Sequence, residues 1–197
     1  MKNLMKVAGI AVIGASLLLL MSCSGIENPT GVPASPAVEQ STAQHSVHLI
    51  SLPERSSLER IQPAVGFFTV QTGGQIHTEY SYRVRGGKSV TGDVSLDVDP
   101  KAVDHDTFAF MLVNDGKLAI DFYPEGIQFG RPAHLNAHFT GLDFSDVPAG
   151  AVVQLYYGND GAWEPVPAES VTINAATGEL VCVNGLISHF SRYGFGF

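Results

Sequence analysis

The chain has 197 residues, of which 45% are hydrophobic, and its formal net charge is −8. This length and apolar fraction allow one domain with its own core, together with accessory segments. The acidic chain has no cluster of lysine or arginine, and phosphate binding needs such clusters, so the composition argues against nucleic acid as a partner.

The first residues have the pattern of a signal peptide. Lys2 and Lys6 precede an apolar run over residues 7–21 that contains no charged side chain. The run is short for a membrane-spanning helix, and a positive start followed by a short apolar stretch is typical of an exported protein.

The end of this run resembles the lipobox of bacterial lipoproteins. Residues 20–23 read Leu-Met-Ser-Cys, with an aliphatic residue three positions before the cysteine and a small residue directly before it. The resemblance implies that residues 1–22 are removed and that Cys23 becomes an acylated N-terminus. Fatty acyl chains such as palmitate would then hold the protein in a membrane of the bacterial cell envelope. Ser24, where an aspartate would favour the inner membrane, favours the outer membrane.

Residues 23–63 are predicted to form a flexible tether. Proline, serine, threonine, alanine and glutamine dominate this stretch, and no apolar period is sustained in it. A flexible chain of this length spans about 35 Å on average, which lifts a domain off a membrane without fixing its orientation.

Short strands of alternating hydrophobicity are predicted from residue 64 to the end. In the clearest one, Ala133, Leu135, Ala137 and Phe139 alternate with His134, Asn136 and His138. Side chains alternate between the two faces of a strand, so this sheet has one buried and one wet face. The predicted strands cover residues 67–70, 76–84, 90–98, 107–113, 118–122, 133–139, 151–157, 171–174, 179–183 and 187–197. Frequent turn signals and the lack of an amphipathic helix predict an all-β fold, an antiparallel β-sandwich or barrel.

The two cysteines are not expected to form a disulfide. Cys182 lies in a predicted strand between two valines, and the thiol of Cys23 is expected to be alkylated. We therefore interpret Cys182 as a buried, small apolar residue.

Five motifs in this order resemble the ZU-five domain, the β-sandwich module of zonula-occludens, netrin-receptor and ankyrin proteins. The matching segments are Val98–Ala102, Pro124–Phe129 followed by Pro132, Leu155–Tyr157, Gly161–Trp163 and His189–Ser191. The resemblance covers residues 64–197. It implies an antiparallel β-sandwich with a non-catalytic role in interaction or structure.

The last motif carries an alternative function. In some ZU-five domains the tripeptide His-Phe-Ser cleaves its own Phe–Ser bond. Carried over here, the resemblance implies that Ser191 attacks the Phe190 carbonyl and that His189 acts as the base. The released peptide would be Ser191–Phe197, so the intact mass of the purified protein separates self-processing from a non-catalytic module.

The polar faces of the strands contain no recognisable metal or catalytic pattern. His134 and His138 are about 13 Å apart along a strand, too far for one ion. Four acidic residues lack the spacing of known calcium loops; they are Asp97, Asp99, Asp104 and Asp106. We therefore expect no metal, no cofactor and no enzymatic activity.

The C-terminal residues suggest an alternative fold. Residues 193–197 place aromatic side chains at every second position, which resembles the end of small outer-membrane β-barrels. Charged residues interrupt the apolar bands that such a barrel needs, so a soluble domain on a lipid anchor is preferred. The expected partners are membrane lipid, through acylated Cys23, and an envelope protein or polysaccharide.

Overall fold

The computed structural model describes residues 46–56, 61–159 and 161–197. The predicted signal peptide, Cys23 and the first part of the predicted tether lie outside these residues. Within them the secondary structure is entirely β, with eleven strands. No stretch of the described residues forms a helix that is long and apolar enough to cross a membrane.

The strands are numbered in chain order. They are β1 (Ala64–Phe68), β2 (Gly74–Arg83), β3 (Ser89–Val98), β4 (Thr107–Val113), β5 (Ala119–Tyr123), β6 (Gln128–Thr140), β7 (Gln154–Asn159), β8 (Ala162–Val166), β9 (Ser170–Asn174), β10 (Glu179–His189) and β11 (Arg192–Gly196).

These strands form two antiparallel sheets. One sheet has six strands in the order β1-β4-β5-β11-β7-β8, and the other has five in the order β2-β3-β6-β10-β9. The core lies between the two sheets, and the side chains that fill it are almost fully buried. The five-stranded sheet contributes Val94, Leu96, Leu135 and Phe139, and the six-stranded sheet contributes Met111, Phe122, Leu155 and Phe195. The predicted antiparallel β-sandwich is confirmed.

Strand β6 shows how the sequence determines the faces of the sheet. Ala133, Leu135, Ala137 and Phe139 are buried, whereas the intervening His134, Asn136 and His138 are half-buried or exposed. Burial of alternate side chains contributes about 25 cal/mol per Å² of apolar surface removed from water, so the register of this strand is strongly specified.

The packed domain begins earlier than residue 64, the boundary that the sequence suggests. Ile50, Leu52 and Ile61 all belong to the core. Strand β5 pairs with β11 only up to Gly194. Beyond that point the free edge of β11 is taken by the segment around residues 48–50, where the Ile50 amide donates to the Phe195 carbonyl at 2.9 Å. Scattered apolar residues in a polar stretch give no periodicity, which is why this pairing was not predicted.

The prediction of one final strand over residues 187–197 is wrong. Strand β10 ends at His189 in the five-stranded sheet, and β11 starts at Arg192 in the six-stranded sheet. The chain thus changes sheets at Phe190-Ser191. Burial does not alternate regularly here, because Phe190 turns its ring into the core between the buried Ile187 and Tyr193.

Candidate functional site

The structure places the predicted site residues in different ways. Cys23 lies outside the described residues. His189 and Ser191 lie at the sheet-changing corner between β10 and β11. Cys182 is a free, buried thiol on β10.

The corner is anchored by the ring of Phe190. This ring is buried and stacks on Phe122 with 5.5 Å between centroids, and it meets Phe129 edge-to-face at 5.2 Å. Aromatic pairs at these distances stabilise a core beyond the effect of their buried area. The aromatic cluster therefore fixes the point where the chain leaves one sheet for the other.

Backbone hydrogen bonds connect this corner to the turn between β5 and β6. The Phe190 amide donates to the Ile127 carbonyl at 2.8 Å, and the Gly126 amide donates to the Phe190 carbonyl at 3.3 Å. Gly126 has a φ of +88°, a conformation that glycine adopts without the strain of a side chain. Backbone hydrogen bonds thus connect the Pro-Glu-Gly turn to the His-Phe-Ser motif. The two motifs are more than sixty residues apart in the sequence.

The side chain of His189 packs against tyrosines. Its ring meets that of Tyr157 edge-to-face with 4.5 Å between centroids. The Tyr193 hydroxyl donates to the His189 carbonyl at 2.8 Å. In the described part of the chain no hydrogen bond joins the His189 ring to the Ser191 hydroxyl.

A cleft of about 600 Å³ opens beside the corner. Asp121 and Arg192 form a two-pronged ion pair in it, with Nε–Oδ1 and Nη2–Oδ2 distances of 2.6 and 3.1 Å. The hydrogen bond to Asp121 raises the pKa of Arg192. Asp121 is the one buried charged residue in the described ranges, and the guanidinium of Arg192 forms an ion pair with its carboxylate. The pair therefore holds β5 to β11.

A second surface was not predicted from the sequence. The outer face of β1, β4 and β5 carries five exposed apolar or aromatic side chains, which we call the apolar patch. Their exposed fractions are 59% for Val65, 46% for Phe67, 63% for Phe108, 44% for Phe110 and 38% for Tyr123. The sequence of strand β4, Thr-Phe-Ala-Phe-Met-Leu-Val, could have indicated this surface. Its apolar residues lie on both faces of the strand, which predicts that both faces are covered by other groups.

The strand register makes the apolar patch continuous. Val65 lies opposite Phe110 and Phe67 opposite Phe108 in the β1–β4 pair. Phe110 in turn lies opposite Tyr123 in the β4–β5 pair. The rings of Phe67 and Phe108 are in contact, with 4.6 Å between centroids.

Among the described residues, the acidic and histidine residues that the sequence suggested for metal binding form no cluster of three ligand atoms. Asp97 accepts a hydrogen bond from Gln75 at 2.6 Å, and Asp106 accepts one from the Val70 amide at 2.8 Å. Strand register places His134 opposite Asp97 and His138 opposite Asp93 on the wet face of the five-stranded sheet.

Comparison of this chain with protein-family models, with curated proteins and with solved structures finds no match. The fold and its surfaces define an antiparallel β-sandwich with an aromatic outer face. The resemblance to the ZU-five domain stays a prediction that rests on the sequence motifs.

Proposed function

We propose that this chain is a bacterial envelope lipoprotein, anchored by acylated Cys23, whose β-sandwich is a non-catalytic interaction module. The apolar patch is its binding surface, and the partner is another envelope protein with an apolar surface. The observation that supports the proposal is the patch itself, five neighbouring side chains left in water on a sandwich whose core is otherwise well filled.

Leaving the side chains of the apolar patch in water costs free energy. Burying a phenylalanine or valine side chain is worth about 1.5–3 kcal/mol, and three of the five residues are phenylalanine. Contiguous apolar patches on soluble domains mark interaction surfaces, and aromatic residues are enriched in protein interfaces. The patch therefore has the composition of a contact surface.

The chemistry of the patch favours a protein over a polysaccharide. Sugars present many hydroxyl groups, each of which needs a hydrogen-bond partner when it leaves water. Of the five patch residues, Tyr123 alone has a side-chain hydroxyl. Val65, Phe67, Phe108 and Phe110 match apolar side chains instead.

The corner geometry supports a non-catalytic role over self-processing at Phe190–Ser191. Self-cleavage needs a base within reach of the serine hydroxyl. The His189 ring instead packs against Tyr157, and in the described part of the chain no hydrogen bond joins it to the Ser191 hydroxyl.

The interaction is tested by placing a photo-reactive phenylalanine analogue at position 108 and irradiating whole cells of the native host. We expect one discrete crosslinked protein, and we expect Phe67→Ser to reduce its yield about tenfold or more, since interface aromatics often contribute 2 kcal/mol or more. The analogue at position 152 is the matched control, because Val152 is 69% exposed and lies outside the patch. The same product from both positions, or a product insensitive to Phe67→Ser, would contradict the proposal.

The anchor is tested separately with Cys23→Ser. Without the sulfur no acyl chain can be attached, so we expect cells grown with labelled palmitate to label the wild-type protein but not the Cys23→Ser protein. Cys182→Ala is the control and should still take up the label. Labelling of the Cys23→Ser protein, or no labelling of the wild type, would contradict the anchor proposal.

A further inference from the structure

The wet face of the five-stranded sheet contains a convergence of metal-ligating side chains. Strand β2 presents His77 and Glu79 two residues apart, on the same face, and β3 places Asp93 directly opposite Glu79. His77 Nε2 lies 2.9 Å from Asp93 Oδ1 and 3.9 Å from Glu79 Oε1. One donor atom from each residue lies within 4.8 Å of the other two.

We propose that His77, Glu79 and Asp93 bind one divalent transition-metal ion, with zinc as the best match. Imidazole nitrogen and carboxylate oxygen coordinate Zn²⁺ at about 2.0–2.2 Å, which puts neighbouring tetrahedral ligands about 3.3–3.6 Å apart. The 2.9 and 3.9 Å separations bracket that range, so small side-chain rotations close the site. The mixed nitrogen and oxygen set disfavours calcium and magnesium, which take oxygen ligands.

The charges of the side chains at this site also favour a bound cation. Two carboxylates directly opposite each other in an antiparallel pair repel and destabilise the sheet. In the described part of the chain neither Glu79 nor Asp93 forms an ion pair with lysine or arginine, and His77 is the side chain that pairs with them. A divalent cation between the two carboxylates would turn this repulsion into attraction.

Strand β6 borders a surface depression next to the proposed ligands. His138 on β6 lies opposite Asp93, so Glu79, Asp93 and His138 form one row across three strands. These three residues line a surface depression of about 460 Å³. His138 Nε2 is 2.8 Å from Glu179 Oε1, an imidazole–carboxylate pair of the kind that orients histidine near metal ions. Two of the three proposed ligands, Glu79 and Asp93, therefore border a space that can hold water or a small ligand.

This site is independent of the proposed interaction surface, because it lies on the other sheet of the sandwich. Its presence or absence leaves the crosslinking experiment unaffected.

The test is isothermal titration of the chelator-treated protein with zinc chloride. We expect one zinc ion per chain at this site, and affinity at least about tenfold weaker in His77→Gln and in Asp93→Asn. His105→Gln is the matched control: His105 is an exposed histidine beside a carboxylate, Asp104, and is not part of the cluster.

Two further readouts make the result decisive. Zinc should raise the Tm of the wild-type protein and of His105→Gln by mass action, but not that of His77→Gln or Asp93→Asn. Cobalt(II) should give a visible d–d absorption band that the same two variants lose. The altered side chains are exposed, and far-UV circular dichroism checks the fold of each variant, with Glu79→Gln replacing one that fails to fold. Absence of one-to-one binding, or equal affinity in wild type and variants, would overturn the proposal.

Discussion

Replacing Phe190 with alanine is expected to lower the free energy of unfolding by about 3–5 kcal/mol, the range measured for buried phenylalanines. The ring is 1% exposed, and it contacts Phe68, Phe122 and Phe129 at centroid distances of 6.1, 5.5 and 5.2 Å. Alanine would leave a cavity where the two sheets meet, and the surrounding rings can relax only in part. Urea unfolding followed by circular dichroism measures the change.

Phe108→Ala is the matched control for Phe190→Ala. The same atoms are removed, but Phe108 is 63% exposed on the outer face of β4, so we expect a change within about 1 kcal/mol. Equal losses in the two variants would mean that the corner does not hold the sheets together. A large loss in Phe108→Ala alone would mean that the apolar patch is buried in solution.

The corner has this importance because two interactions of different kinds meet there. Phe190 closes the core from the inside, and the Asp121–Arg192 ion pair joins β5 to β11 on the outside. Between them the backbone of Phe190 is held by hydrogen bonds to Gly126 and Ile127. The Pro-Glu-Gly and His-Phe-Ser motifs therefore have a structural role, because together they fix the point where the chain passes from one sheet to the other.

Individual strands were predictable, but the way they assemble was less so. The alternation in β3 and β6 determines which side chains are buried, because one face of each strand must leave water. The change of sheet at Phe190-Ser191 was missed, since the aromatic residues at alternate positions near the C-terminus indicate one strand over residues 187–197 and no local residue forces a turn. Its cause is tertiary: the Phe190 ring finds its place among aromatic side chains from β1, β5 and β6.

The candidate sites could not be predicted from the sequence for the same reason, because they depend on how the strands pair. His77 and Glu79 are visibly on one face of a strand, but Asp93 joins them through a strand register that the sequence does not reveal. Likewise, Phe67 and Phe108 are forty-one residues apart, and only the pairing of β1 with β4 brings their rings together. A site assembled across neighbouring strands therefore needs the sheet order before it can be recognised.

Cys182 is expected to react with iodoacetamide at pH 8 about 100-fold more slowly in the native protein than in the urea-unfolded chain. Burial raises the pKa of its thiol from the ordinary 9.0 to about 11. A difference of two pKa units lowers the reactive thiolate fraction about 100-fold, and poor access to the buried sulfur slows the reaction further. Peptide mapping after labelling shows which cysteine has reacted, so modification at Cys23 does not confuse the measurement.

The same pKa change makes stability depend on alkaline pH. The folded state holds the Cys182 proton more tightly than the unfolded chain, so this contribution is complete below pH 9 and is lost as the pH rises towards 11. Burial raises the pKa of Tyr80 and Tyr193 as well, and their contributions are also lost as the pH rises. In urea unfolding between pH 8 and 11, Cys182→Ala should therefore show a smaller fall in stability than wild type. Rapid native labelling of Cys182, or parallel pH profiles in the two proteins, would show that the thiol is not buried as the structure has it.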